Sequence, residues 1–213
     1  MVELVVVRHG QSLWNLENRF TGWVDVDLTE KGVLEAREAG EKLVSNNYKF
    51  DIAYVSMLKR ARHTLNIILN VLNESIPIIE SKNLNERHYG GLQGQNKQEA
   101  TIKFGEETVK TWRRSYDVRP PEAEKPNLSE PNGESLKDTY ERVVKYFHET
   151  IEKDLKNHKK LLIVAHGNSL RALSKYLLKL SDSEIIDFEI PTGKPLVFKL
   201  DDNLNVISYD YLK

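Results

Sequence analysis

Two short runs of consecutive apolar residues, Val5-Val6-Val7 and Leu162-Ile163-Val164-Ala165, each lead into a His-Gly step. The first continues as Arg8-His9-Gly10-Gln11-Ser12 and the second as His166-Gly167-Asn168-Ser169. Unbroken apolar runs of this length, bounded by turn-forming residues, predict strands buried on both faces of a parallel sheet. A first strand is expected from about Glu3 to Arg8, a second at Ile52-Ala53-Tyr54-Val55-Ser56 and a third near Ile76 to Glu80. Two further strand-like runs occupy Leu196 to Leu200 and Val206 to Tyr211.

Between these runs the apolar period changes from two to nearly four, which predicts helices. Val33, Ala36, Gly40, Leu43 and Val44 give one face to a helix beginning near Thr29. Ala61, Leu65, Ile68, Leu69 and Leu72 do the same after the second strand. A long amphipathic helix is predicted from Ser135, with Leu136, Tyr140, Val143, Val144, Phe147, Ile151 and Leu155 on its apolar face. Another follows His166 as far as Leu180, ahead of a Ser181-x-x-Glu184 capping box. The polar stretch Asn85 to Gln95 reads as an ordered loop, Lys97 to Tyr116 as a weakly apolar helical insertion, and Arg119 to Gly133 as a proline-rich loop. Strands alternating with helices imply an α/β fold: a single three-layer domain over residues 1–213, with a mostly parallel central sheet flanked by helices and a cap insertion at about 90–134.

Composition narrows the function classes. With 31 Lys and Arg against 32 Asp and Glu, the formal charge of -1 gives no general attraction to nucleic acid or anionic membrane. The absence of cysteine rules out disulfides, thiolate catalysis and Cys-based zinc sites. No apolar stretch reaches membrane-spanning length and no leader pattern precedes Leu4, so a cytoplasmic enzyme is expected.

Open α/β sheets bind ligands beyond the carboxyl ends of their strands, so His9 and His166 are expected to share one crevice. Arg8, Arg60, Arg62, Arg87, Arg113 and Arg114 are spaced so that convergent loops would bring several guanidiniums to two imidazoles. Such a set repels a metal cation and pairs with phosphate or carboxylate. Among arginines a neutral imidazole is held below its usual pKa and can attack a phosphoryl group. His9 is therefore the candidate nucleophile, His166 a hydrogen-bond donor beside it and Glu86 the carboxyl group for the substrate's hydroxyl proton. Taken singly, His63, His88, His148 and His158 read as packing or surface residues, and Trp14, Trp23 and Trp112 as packing groups.

The combination resembles the cofactor-dependent phosphoglycerate mutases of the histidine phosphatase superfamily. The segments that carry the likeness are Arg8-His9-Gly10 to Asn15, Asn18-Arg19-Phe20-Thr21-Gly22-Trp23, Leu58-Lys59-Arg60-Ala61 and Leu84-Asn85-Glu86-Arg87-His88-Tyr89-Gly90. Trp112-Arg113-Arg114, His166-Gly167-Asn168-Ser169-Leu170-Arg171 and Ile190-Pro191-Thr192-Gly193 complete it. The resemblance implies that His9 carries a phosphoryl group gripped by Arg8, Arg60 and His166, with Glu86 as acid and base. It implies substrate contacts at Gly10, Gln11, Ser12, Asn15, Thr21, Gly22, Arg87, His88, Tyr89, Lys97, Arg113, Arg114, Gly167 and Asn168. The implied reaction interconverts 3-phosphoglycerate and 2-phosphoglycerate, primed by 2,3-bisphosphoglycerate and needing no metal. The partners are small phosphoglycerates, not nucleic acid or membrane, and the assembly is a homodimer or a monomer.

Three departures from the family pattern stand out. Gln11 replaces the more usual glutamate, the proline-rich loop is short, and the chain stops at Lys213 where many relatives carry a tail over the site. The last implies a measurable phosphatase side reaction. A superfamily phosphatase or bisphosphoglycerate synthase/phosphatase using the same phosphohistidine is the alternative enzyme. A non-catalytic binding module would have no need of both His9 and Glu86.

Overall fold

The computed structural model describes residues Met1–Lys213. Six strands form one sheet: β1 (Val2–Arg8), β2 (Ile52–Ser56), β3 (Ile78–Ser81), β4 (Leu161–Ala165), β5 (Leu196–Leu200) and β6 (Val206–Tyr211). Their spatial order is β3-β2-β4-β1-β5-β6. The four strands from β3 to β1 run parallel, whereas β5 and β6 add an antiparallel edge. β1 and β4 are neighbours, with Val7 opposite Val164 and Arg8 opposite Ala165, so the two His-Gly steps emerge side by side.

The unbroken apolar runs arise because the sheet is covered on both faces. Val5, Val7, Ala53, Val55, Leu162 and Val164 pack under α2 (Glu30–Ser45) and α3 (Lys59–Leu72). Leu4, Val6, Tyr54, Leu161 and Ile163 face α6 (Leu136–Tyr146), α7 (Glu152–Lys156) and α8 (Gly167–Leu178). Adjacent residues of one strand thus enter different cores. No helix is long and apolar enough to cross a membrane.

Several elements differ from the sequence expectation. The buried stripe of α2 is Gly32, Ala36, Ala39, Gly40 and Leu43, which keeps to one face at 3.6 residues per turn. Val33 is only half-buried and Val44 is 48% exposed, because both lie beside that stripe. The third strand begins later than expected, at Ile78, and as an edge strand it is largely exposed. The long helix from Ser135 is broken by a π-helical turn at Phe147–Ile151, which brings Phe147, Ile151 and Leu155 together in the core despite the widened backbone. The helix after His166 stops at Leu178, where Lys179 turns left-handed, and Ser181 and Glu184 exchange backbone-to-side-chain hydrogen bonds where a short 3₁₀ turn begins.

The insertion is two helices, α4 (Lys97–Phe104) and α5 (Glu106–Arg114), separated at Gly105, whose φ of 93° favours glycine. Ala100 and Val109 pack with Phe20 and Leu92 as a small third core, flanked by Tyr89, Phe104 and Trp112. This core joins the insertion to the loop after the one-turn helix α1 (Leu13–Leu16).

Candidate active site

The His9 and His166 rings stand edge to face with centroids 4.9 Å apart, both almost fully buried. The backbone N–H of His9 bonds the carbonyl of Ala165 at 3.0 Å, tying the two strand ends together. The step after His9 is sterically required to be glycine, and the one after His166 is tightly packed. A Cβ on Gly10 would lie 2.2 Å from the carbonyl oxygen of Gly32, and one on Gly32 would lie 2.1 Å from that of Gln11. At Gly167 a Cβ would press on the Arg8 guanidinium at 3.2 Å.

Hydrogen bonding fixes the histidine tautomers. His9 Nδ1 lies 2.6 Å from the Gly10 carbonyl, which can only accept, so Nδ1 carries the proton and Nε2 the lone pair. His166 Nε2 is 2.7 Å from Ser56 Oγ, and Ser56 donates its own proton to Asn85 Oδ1, which also accepts from the Met57 amide. His166 must therefore donate from Nε2, and its buried Nδ1 has no protein partner. Burial, then the charges of Arg60 and Arg8, hold the His9 pKa well below its usual value. Burial, then Arg60, His9 and Arg8, do the same for His166. Both rings are neutral at pH 7.

Beyond His9 opens a cavity of about 200 Å³, continuous with solvent. Its cationic lining comprises Arg8, Arg19, Arg60, Lys97, Arg113, Arg114 and Arg171, against the two carboxylates Glu86 and Glu189. Arg8 donates to the Ile190 carbonyl through Nη1, while its buried Nε is left without a partner. Arg60 is held by the carbonyls of Val24 and Gly22 at 2.8 and 2.7 Å, and burial lowers its pKa to about 10. Burial, together with Arg113 and Arg8, lowers the Lys97 ammonium to about 8. Arg113 and Arg114 end α5, where the helix dipole favours cations.

Glu86 is held from two directions. Its Oε1 accepts the backbone N–H groups of Arg87 and Asn168 at 2.8 and 3.0 Å. Its carbonyl accepts Trp23 Nε1 and Arg142 Nη2. Arg142, on α6, also donates to the carbonyls of Asn83 and Asn85 and pairs with buried Glu134 at 2.8 Å. Glu134 in turn accepts the His88 amide.

Asn15, Thr21, Gly22, Tyr89, Lys97, Arg113, Arg114, Gly167 and Asn168 all border the cavity with Arg8, His9, Arg60 and Glu86. Five expected contacts lie elsewhere. Gly10 is closed off by Gly32, and Ser12 is spent capping α1 against Asn15. Gln11 donates its backbone N–H to Glu35 and accepts Thr29 Oγ1, so it joins α2 rather than facing an anion. Arg87 points inward, where it binds the carbonyls of Glu134 and Trp112 beneath the Tyr89 ring. His88 is buried against Gly90 and Glu130. Arg62 extends toward Glu80 and takes no part. The sequence reading passed over Arg19, Phe20, Arg171 and Glu189 in the lining and Arg142 and Glu134 behind it. Of these only Arg19, Phe20 and Arg171 stood inside the recognised segments.

Fold and site together define a class. The chain belongs to the histidine phosphatase superfamily (branch 1), whose family model matches residues 4–209. A 2,3-bisphosphoglycerate-dependent phosphoglycerate mutase from Treponema denticola is 53% identical over 227 residues, covering 99% of this chain and 92% of the relative. Among solved structures, a mycobacterial glucosyl-3-phosphoglycerate phosphatase in complex with VO3 has a TM-score of 0.80 at 22% identity, covering 99% of this chain and 97% of its own. The α-ribazole phosphatase of Shigella flexneri has a TM-score of 0.77 at 21% identity, with coverages of 94% and 91%. At that identity the two structures speak for the fold alone.

Proposed function

We propose that the chain is a 2,3-bisphosphoglycerate-dependent phosphoglycerate mutase, interconverting 3-phosphoglycerate and 2-phosphoglycerate in glycolysis and gluconeogenesis. The observation that carries the reading is a neutral His9 with its Nε2 lone pair free, set in a cavity whose walls are cationic and which holds Glu86. The cationic lining suits the bisphosphate: Arg8 Nε is a buried donor without a partner beside His9, and Lys97, Arg113 and Arg114 add charge further out. When bound, 2,3-bisphosphoglycerate supplies the phosphoryl group that primes His9.

His9 Nε2 takes the phosphoryl group, and its Nδ1–H to the Gly10 carbonyl keeps the ring oriented. Arg8 and Arg60 neutralise the oxygens that gain charge as the group moves. Glu86 accepts the proton of the substrate hydroxyl as that oxygen attacks phosphorus and the His9 nitrogen leaves. In the return step it gives the proton back to the oxygen released. Lys97, Arg113 and Arg114 hold the carboxylate and the second phosphate, while Asn15, Thr21, Gly22, Tyr89 and Asn168 shape the space between. The residues at about 90–134 act as a cap on this site. We read the enzyme as cytoplasmic and its assembly as a homodimer or a monomer.

The test is conversion of 3-phosphoglycerate by purified protein in EDTA, with and without catalytic 2,3-bisphosphoglycerate, while free phosphate is followed. Isomer formation that survives the chelator and is strongly stimulated by the bisphosphate is expected. Phosphate release without isomerisation would overturn the reading in favour of a phosphatase.

A further inference from the structure

The cationic wall of the cavity contains one carboxylate that the reaction does not use. Glu189, in the segment between α8 and β5, forms an ion pair with Arg114 Nη1 on the last turn of α5. Both residues line the cavity. The carboxylate is presented by a fixed backbone: the Phe188 carbonyl accepts Arg171 Nε at 2.7 Å and the Ile190 carbonyl accepts Arg8 Nη1 at 2.9 Å. Arg171 also holds the Ile185 carbonyl and the Asn168 side chain, so the segment is anchored to α8 beside the site.

The pair itself is open to water. The Arg114 and Glu189 side chains keep 44% and 57% of their exposure, so the contact is a weak, exchangeable one and contributes little to holding the fold. Arg113 and Lys97, the neighbouring cations of the outer wall, form no such ion pair. A carboxylate placed on one outer cation imitates the charge and shape of the group a phosphoglycerate would bring there.

We propose that Glu189 is a specificity-determining residue: a resident counter-anion that occupies Arg114 in the free enzyme and is displaced by the outer anionic group of the substrate. The inference rests on the reading of Arg114 as an outer substrate contact. Its consequence is selective. A ligand with two anionic groups must exchange with Glu189, whereas an anion confined to the His9 end does not meet it. Glu189 thereby loosens the hold on the two-headed ligand without weakening the phosphoryl pocket, which favours exchange of a species that has to reorient during turnover.

The experiment is calorimetric titration of the dephosphorylated enzyme with 3-phosphoglycerate and, separately, with inorganic phosphate, for wild type, Glu189→Gln, Arg114→Gln and the double variant. Glu189→Gln is expected to tighten 3-phosphoglycerate roughly two- to fivefold, the range open to an exposed ion pair. Inorganic phosphate is expected to bind unchanged, and the tightening to vanish in the Arg114→Gln background. An unchanged 3-phosphoglycerate affinity in Glu189→Gln overturns the proposal. So does equal tightening of inorganic phosphate, or tightening that persists without Arg114, since either marks a diffuse field effect. Failure of Arg114→Gln alone to weaken 3-phosphoglycerate overturns instead the reading of Arg114 on which the proposal rests.

Discussion

His166 gives its Nε2 proton to Ser56 Oγ at 2.7 Å, and that bond leaves its buried Nδ1 without a proton and without a partner. A bare nitrogen cannot donate to a phosphoryl oxygen. An anion arriving beside it will raise its depressed pKa and draw a proton onto the ring. Binding of sulfate, a dianion that does not titrate near neutrality, is expected to take up close to one proton at pH 7. Calorimetry in buffers of different ionisation enthalpy measures the uptake. Heats independent of buffer, or an uptake unchanged in His166→Asn, would sink the idea.

Arg142 is a positioning residue for Glu86. Its guanidinium fastens the carbonyls of Asn83, Asn85 and Glu86 to α6 while pairing with Glu134. Small displacements of a catalytic group can cost on the order of a hundredfold in rate. Arg142→Met is expected to lower kcat by roughly 10- to 100-fold with KM within about twofold. Arg142→Lys will not restore it, because one ammonium cannot span the same carbonyls. Unpaired Glu134 should also destabilise the fold by about 3–5 kcal/mol, so the rates are read well below the melting transition. A large KM change with unaltered kcat would refute the assignment.

The two His-Gly strands, the Thr29 start of α2 and the β5 and β6 runs were legible because burial and capping leave local marks on sequence. What stayed hidden depends on direction. Glu86, Arg87 and His88 are consecutive, but in an irregular segment their side chains diverge: one to the cavity, two into the interior. Arg142 occupies an ordinary polar position of an amphipathic helix, and nothing in its neighbours announces the carbonyls it reaches. Glu189 looks like any loop carboxylate until the chain between α8 and β5 is folded against α5.

Lys97 sets an alkaline limit. Its pKa of about 8 means that it is charged below that pH and loses its proton above it. The kcat/KM of the free enzyme for 3-phosphoglycerate is expected to fall as pH rises through about 8. Lys97→Arg, which stays charged, should move that limb upward. An identical limb in the variant would assign it to another group.

Gly32→Ala offers a test in which helix propensity and packing disagree in sign. Alanine is the better helix former, yet its Cβ would lie 2.1 Å from the Gln11 carbonyl oxygen, in the loop that carries His9. A loss of about 1–3 kcal/mol in urea unfolding is expected, accompanied by a fall in kcat. A stabilised variant with full activity would show that the close approach does not hold the loop.

Because β1 is zipped to β4 on one side and to β5 on the other, the nucleophile leaves the ribosome well before the strands that complete its surroundings have been made. Pairings so distant along the sequence form slowly, since loop closure precedes their reward. A nascent or half-folded chain therefore carries His9 without the Ala165 carbonyl that seats it, and phosphoryl chemistry is silent until folding is nearly complete.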